Sequence, residues 1–309
     1  MPGKIKINKI IEKSNITGIE VLHNVDLRRL LTYRINGKRS NLMIVESEEA
    51  LKNLLGILID NDSEYFILGG GSNSLINDKN ENIVFIKLGR YFDNINFYPD
   101  GLIVCGAAYN LGQFIITCYK NCYDFSFLAG IPGTVGGAVA GNSGTKLKSV
   151  CEFVEGIECM RLKAGKVLYE RYELKKNDFG YRFLNIKNLL IITKVYLRKE
   201  ISDKEIIFNN ILEKIKLKKK SQPLNKYTAG CFFKNPINSS KTAAELIDYL
   251  GLKGFTYGGA VISKKHANFI ENFKNASAKD IFELSRIIYG MVKDNFNIEL
   301  ENEVRLVGF

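Results

Sequence analysis

The chain has 309 residues, of which 46% are hydrophobic and 25% charged, with a net charge of +11; that composition excludes a disordered chain, and the length allows two or three compact units. No run approaches the about 20 apolar residues of a membrane helix, and the opening Met1-Pro2-Gly3-Lys4-Ile5-Lys6 has no apolar core or cleavage site, so we expect no membrane insertion, no export and a cytoplasmic location. Six cysteines without a Cys-x-x-Cys pair, and only two histidines (His23 and His266), point to reduced thiols and argue against a metal site or a Ser-His-Asp hydrolase.

In chain order, residues 42–45 read as a strand and 48–60 as an amphipathic helix. Residues 65–68 form a second buried strand running directly into a glycine loop, and 83–86 and 102–105 are further strands. A helix over 111–120 precedes a second glycine-rich segment. From 153 to 198 the pattern turns to strands, at 156–162, 166–172 and 189–197. Residues 203–220 look helical up to Ser221-Gln222-Pro223, where proline discourages continuation. Helices follow at 242–250 and 278–294, the latter with a capping-box start at Ser277 and Asp280. A final strand over 300–309 would place Glu301, Glu303 and Arg305 on one face. The class is α+β. The run Lys214, Lys216, Lys218, Lys219 and Lys220 reads as a solvated helix face. The basic charge alone would suit a nucleic-acid binder, but no recognition motif accompanies it, and no nucleic-acid partner is expected.

Two glycine-rich segments carry the chemical signal. The first, Gly69-Gly70-Gly71-Ser72-Asn73, follows a strand; its glycines allow positive φ and close backbone approach, and successive amides there form a nest for phosphate oxygens. The second is Gly130-Ile131-Pro132-Gly133-Thr134-Val135-Gly136-Gly137-Ala138, followed by Gly141 and Asn142. Two such loops suit a dinucleotide. Neither matches Gly-x-Gly-x-x-Gly or Gly-x-x-x-x-Gly-Lys-Ser/Thr, so the cofactor fold is neither Rossmann nor P-loop.

These loops join Thr32-Tyr33-Arg34-Ile35, Phe179-Gly180-Tyr181-Arg182, Ala229-Gly230-Cys231-Phe232-Phe233-Lys234-Asn235-Pro236, Gly251-Leu252-Lys253-Gly254 running on to Ser263-Lys264-Lys265-His266-Ala267-Asn268-Phe269, and Leu300-Glu301-Asn302-Glu303-Val304-Arg305. In this order, over nearly the whole chain, the set resembles the UDP-N-acetylenolpyruvoylglucosamine reductase family, in its shorter subclass. The resemblance implies a two-lobed FAD-binding domain of the vanillyl-alcohol-oxidase type over 1–200 (lobes of roughly 1–90 and 91–200). It implies a smaller α+β substrate domain over 201–309. It also implies non-covalent FAD, NADPH as reductant, UDP-N-acetylglucosamine enolpyruvate as substrate, a place in peptidoglycan synthesis and a monomer. By the same resemblance Arg182 and Glu303 are catalytic, and Cys231 stands where most members carry a serine proton donor. Its implied cofactor contacts are Tyr33, Arg34, Gly69, Gly70, Gly71, Ser72, Asn73, Gly130, Ile131, Pro132, Gly133, Thr134, Gly136, Gly137, Ala138 and Asn142. Lys226, Tyr227, Lys234 and Asn235 are candidates for the uridine diphosphate. His266 is expected to be packed and bonded to backbone. Asn36-Gly37, Leu184 and residues 141–145 depart from the family pattern.

Overall fold

The computed structural model describes residues 10–12, 14, 16–35, 39–77 and 83–309; Asn36 and Gly37 lie outside them. The chain forms two compact units that interleave along the sequence. The first comprises Met1–His23, Asn41–Gly70 and Asn82–Ile215, and the second Asn24–Ser40, Gly71–Glu81 and Lys216–Phe309.

The first unit holds two sheets. One has the order β1-β2-β5-β3, from β1 (Ile19–Asp26), β2 (Arg39–Val45), β3 (Tyr65–Ile67) and β5 (Val84–Leu88). β2 and β3 both run parallel to β5, with Leu42 and Phe66 each opposite Phe85. The crossover between them is α1 (Glu48–Asp60). Ser47 caps its start by accepting from the Ala50 amide, and Ala50, Leu51, Leu54, Leu55 and Leu58 form its buried stripe. Each such leucine contributes about 1.5–3 kcal/mol on burial.

The second sheet is antiparallel, in the order β6 (Ile95–Phe97), β7 (Leu102–Gly106), β12 (Leu189–Arg198), β8 (Val154–Lys163) and β9 (Lys166–Glu173). With it belong α2 (Leu111–Lys120) and α3 (Val135–Ala140), whose Phe114 and Val139 share a buried core with Cys105, Phe125, Ile157 and Val195. α3 lies inside the second glycine-rich segment, where the pattern showed no helix: Thr134 caps it, and its small residues let it press onto the chain below. α2 ends with Cys122 at φ 66° and the Tyr123 amide on Cys118 O, a left-handed stop that glycine normally makes. All six cysteines are free thiols, and burial pushes Cys159 up to about 11 and Cys151 to about 12. A short hairpin, β10 (Phe179–Gly180) and β11 (Phe183–Leu184), completes the unit.

In the second unit β4 (Ser74–Ile76) pairs in parallel with β16 (Arg305–Val307). A small antiparallel sheet of β13 (Thr256–Tyr257), β14 (Ala260–Ile262) and β15 (Ile270–Asn272) contacts α6 (Ala278–Phe296). The expected capping box of α6 is present, with Ser277 and Asp280 bonded reciprocally. α5 (Ala243–Tyr249) and α6 bury Leu246, Ile281, Leu284 and Ile288 with Tyr33, Phe232 and Phe233. α4 (Lys204–Ser221) belongs to the first unit up to Ile215 and to the second from Lys216; it ends before Pro223, with Lys216, Lys219 and Lys220 exposed.

The terminal strand is shorter than expected. Only Arg305–Val307 is strand, because the Glu303 and Val304 amides turn to the Phe232 carbonyl (2.8 and 3.3 Å). Glu301, Glu303 and Arg305 therefore do not share one strand face. Among the described residues no helix is long and apolar enough to cross a membrane, and no cluster of three His, Cys, Asp or Glu could hold a metal.

Candidate active site

In the first unit the two glycine loops meet backbone to backbone. A Cβ added at Gly70 would fall 2.6 Å from Gly133 Cα, and one at Gly69 would fall 3.1 Å from Thr134 Oγ1. Gly136 presses on Ala107, 2.6 Å from a Cβ added there. Gly130 and Gly133 adopt φ of 73° and 126°, open to glycine and costly for other residues. The first amides of α3 are spent inside the protein: Val135 N on Tyr109 O, Gly136 N on Ala107 O, and Gly137 N on Thr134 Oγ1. Val135, Gly136 and Ala138 are buried. By contrast, the Gly70, Gly133 and Thr134 amides have no acceptor among the described residues. Open donors on glycine backbone fit the phosphate oxygens of a dinucleotide. Ile131 bonds back to Leu128 O, Pro132 is exposed, and Lys87 Nζ donates to Gly69 O at 3.2 Å.

Arg182 occupies the two-residue turn between β10 and β11, where Gly180 faces Phe183. Its φ is 61°, a left-handed conformation that costs a side-chain-bearing residue about 1–2 kcal/mol. Its guanidinium donates to Gly144 O at 3.3 Å and lies 5.4 Å over the Tyr181 ring. Asn142 braces this turn: its amide donates to Gly180 O at 2.7 Å while its oxygen accepts from Cys151 N at 3.1 Å. Asn142 is only 2% exposed, so its side chain serves the turn that carries Arg182.

In the second unit Gly71 (φ 63°) accepts from Thr32 N, and a Cβ there would overlap Leu30 O at 1.9 Å. Ser72 follows, and Asn73 donates to Glu303 O at 3.0 Å while its own carbonyl accepts from Arg305 N. Tyr33 is buried with its hydroxyl beside Thr228, and burial pushes the phenol well above its usual range. Arg34 is exposed and donates to Arg29 O.

Cys231 lies in a turn opened by Gly230 at φ 85°. Asn268 clamps the residues after it: its oxygen accepts from Phe233 N at 2.9 Å, its amide donates to Phe233 O at 2.7 Å, and its carbonyl accepts from Phe232 N at 2.8 Å. Glu303 N bonds Phe232 O from the other side, so Cys231 and Glu303 are brought to the two edges of one clamped dipeptide. Lys234 pairs with Glu301 at 2.5 Å, and Asn235 accepts from Ala243 N at the start of α5. Lys226 and Tyr227 are exposed. His266 Nδ1 accepts from Asn268 N at 3.3 Å, a packed histidine as expected, and burial, then Lys253, holds it below the usual imidazole range. Sequence reasoning passed over Lys87 and the clamping role of Asn268. Asn268 was visible within a motif, whereas Lys87 carried no local signal.

Family models match this chain as an FAD binding domain over residues 40–169 and as the UDP-N-acetylenolpyruvoylglucosamine reductase C-terminal domain over 222–307. The UDP-N-acetylenolpyruvoylglucosamine reductase of Orientia tsutsugamushi (strain Boryong) is 34% identical over 309 residues, covering 98% of this chain and 99% of that one. That of Wolbachia pipientis subsp. Culex pipiens (strain wPip) is 34% identical over 289 residues, covering 93% and 95%. The crystal structure of the reductase from Thermus caldophilus superposes with a TM-score of 0.76 at 32% identity, covering 94% of this chain and 99% of that one. The chain belongs to the UDP-N-acetylenolpyruvoylglucosamine reductase family of FAD-dependent oxidoreductases.

Proposed function

We propose that this protein reduces UDP-N-acetylglucosamine enolpyruvate to UDP-N-acetylmuramate for peptidoglycan synthesis, as a cytoplasmic monomer with non-covalent FAD and NADPH as reductant. In this reading residues 1–200 hold FAD and 201–309 carry the substrate. When bound and reduced, FAD would supply the hydride for the terminal carbon of the enolpyruvyl group, which pushes charge through the adjacent carbon into the carboxylate. Arg182 takes the substrate carboxylate in its fork and stabilises the charge that develops there, work commonly worth about 3–4 kcal/mol. Cys231 delivers the proton to the carbon left electron-rich; an unperturbed thiol titrates near ~8.5 and is a far stronger acid than a serine hydroxyl. Glu303 assists beside it. Gly70, Gly133 and Thr134 donate backbone amides to the cofactor phosphates, and the exposed Lys226 and Tyr227 meet the uridine diphosphate.

The observation that carries the reading is the clamped turn with Cys231 at one edge and the Glu303 amide at the other, inside the segment 222–307 that matches the reductase C-terminal domain. The test follows NADPH oxidation by the FAD-loaded protein with and without the enolpyruvyl substrate. Substrate-dependent oxidation supports it; a yellow protein that ignores the substrate and consumes oxygen with an alcohol or hydroxy acid sinks it. Cys231→Ser should keep substantial turnover. Cys231→Ala should let NADPH reduce the flavin and then stall its reoxidation by substrate; normal reoxidation removes Cys231 from the mechanism.

A further inference from the structure

Lys87, paired with Ile44 of β2, is the β5 residue after the Ile67–Ile86 pair, at the level where β3 on the other side of β5 gives way to the first glycine loop. It is half-buried, and its Nζ donates to Gly69 O at 3.2 Å. No carboxylate pairs with it among the described residues, and burial holds its ammonium below the usual lysine range. A partly desolvated cation bonded only to a neutral carbonyl lacks a counter-charge. The peptide joining Gly69 to Gly70 is planar and trans, so its C=O and N–H point in opposite directions. Holding Gly69 O on Lys87 therefore turns the Gly70 N–H to the other side of the loop, where Gly70 is exposed and its amide has no acceptor among the described residues. A charge-assisted bond to the carbonyl also polarises the N–H of the same amide.

We propose that Lys87 is a positioning residue of the cofactor site, aiming the Gly70 amide at a diphosphate oxygen of FAD and supplying the counter-charge for it from behind the loop. This rests on the reading that the glycine loops hold FAD. The test compares Lys87→Gln, which can keep a donor to Gly69 O without the charge, with Lys87→Met and Lys87→Arg. Apoprotein of each is titrated with FAD by flavin fluorescence at low and high salt, and thermal unfolding of each apoprotein is recorded. The Gln and Met variants should weaken FAD binding about tenfold and flatten its salt dependence, whereas Arg stays within about twofold of the parent. Apoprotein melting should change little in the Gln and Arg variants. Unaltered FAD affinity in the Gln variant, an Arg variant as weak as Gln, or affinity losses that follow losses of apoprotein melting temperature would each overturn the role. A parent protein that binds no FAD would instead bring down the reading of the loops themselves.

Discussion

The turn that carries Arg182 and the turn that carries Cys231 are built on the same device and loaded differently. Each is held by a buried asparagine, Asn142 or Asn268, whose side-chain oxygen and amide both bond to backbone. At the first turn the left-handed conformation falls on Arg182 itself, at φ 61°. At the second it falls on Gly230, one residue before Cys231, where positive φ costs glycine nothing. An arginine held in strain has few alternative backbone states, so its fork stays aimed; the cost is local stability. The thiol turn has no such strain, and its geometry comes from the Asn268 clamp together with the Glu303 amide on Phe232 O.

The largest test of this contrast is Arg182→Gly. Glycine relieves the strain, so thermal unfolding should show stability unchanged or raised by about 1 kcal/mol. Turnover should nevertheless fall by about two to three orders of magnitude, the usual loss of one preorganised donor. Loss of fold with loss of activity would mean the arginine is structural.

Removing the clamps comes next. Asn268→Ala leaves the Phe233 amide and carbonyl without their partners, and an unfolding curve should show about 2–4 kcal/mol of lost stability. Asn142→Ala should lose a similar amount, and in addition lower kcat more than it raises KM, because Arg182 loses its brace. Equal kinetic effects of the two variants would erase the distinction between the turns.

A smaller effect is expected from Gly230→Ala. Nothing lies near a Cβ there, so the cost is conformational alone, about 1 kcal/mol, read as a drop in melting temperature. The mirror experiment is Cys122→Gly at the end of α2, which should gain about as much, since Cys122 holds φ 66°.

The smallest effect concerns His266, which supports Asn268 through its backbone amide. Burial lowers the His266 pKa in the folded protein from an ordinary 6.5. The unfolded chain therefore takes up the proton first as pH falls below that value, and stability declines from there until the folded histidine also titrates. Melting curves between neutral and mildly acidic pH should show this decline, and it should shrink in His266→Asn.

Features set by neighbours within one turn or one strand were legible before any fold was known. The helices at Glu48–Asp60 and Leu111–Lys120, the Ser277–Asp280 capping box and the strands from 154 to 198 follow from local periodicity and caps. The two glycine loops and the Cys231 segment were legible as motifs, and so was the family. Tertiary structure decided the rest. The described residues 24–35 and 71–77 join the C-terminal part of the chain, because Gly71, Asn73 and β4 find their backbone partners at Thr32, Arg305 and β16. The expected terminal strand shrank to three residues because a distant carbonyl, Phe232 O, took its amides. Asn142, Asn268 and Lys87 act on groups 38, 35 and 18 residues away. Partners at that separation leave no periodicity in a sequence, since only the folded backbone brings an acceptor to a donor.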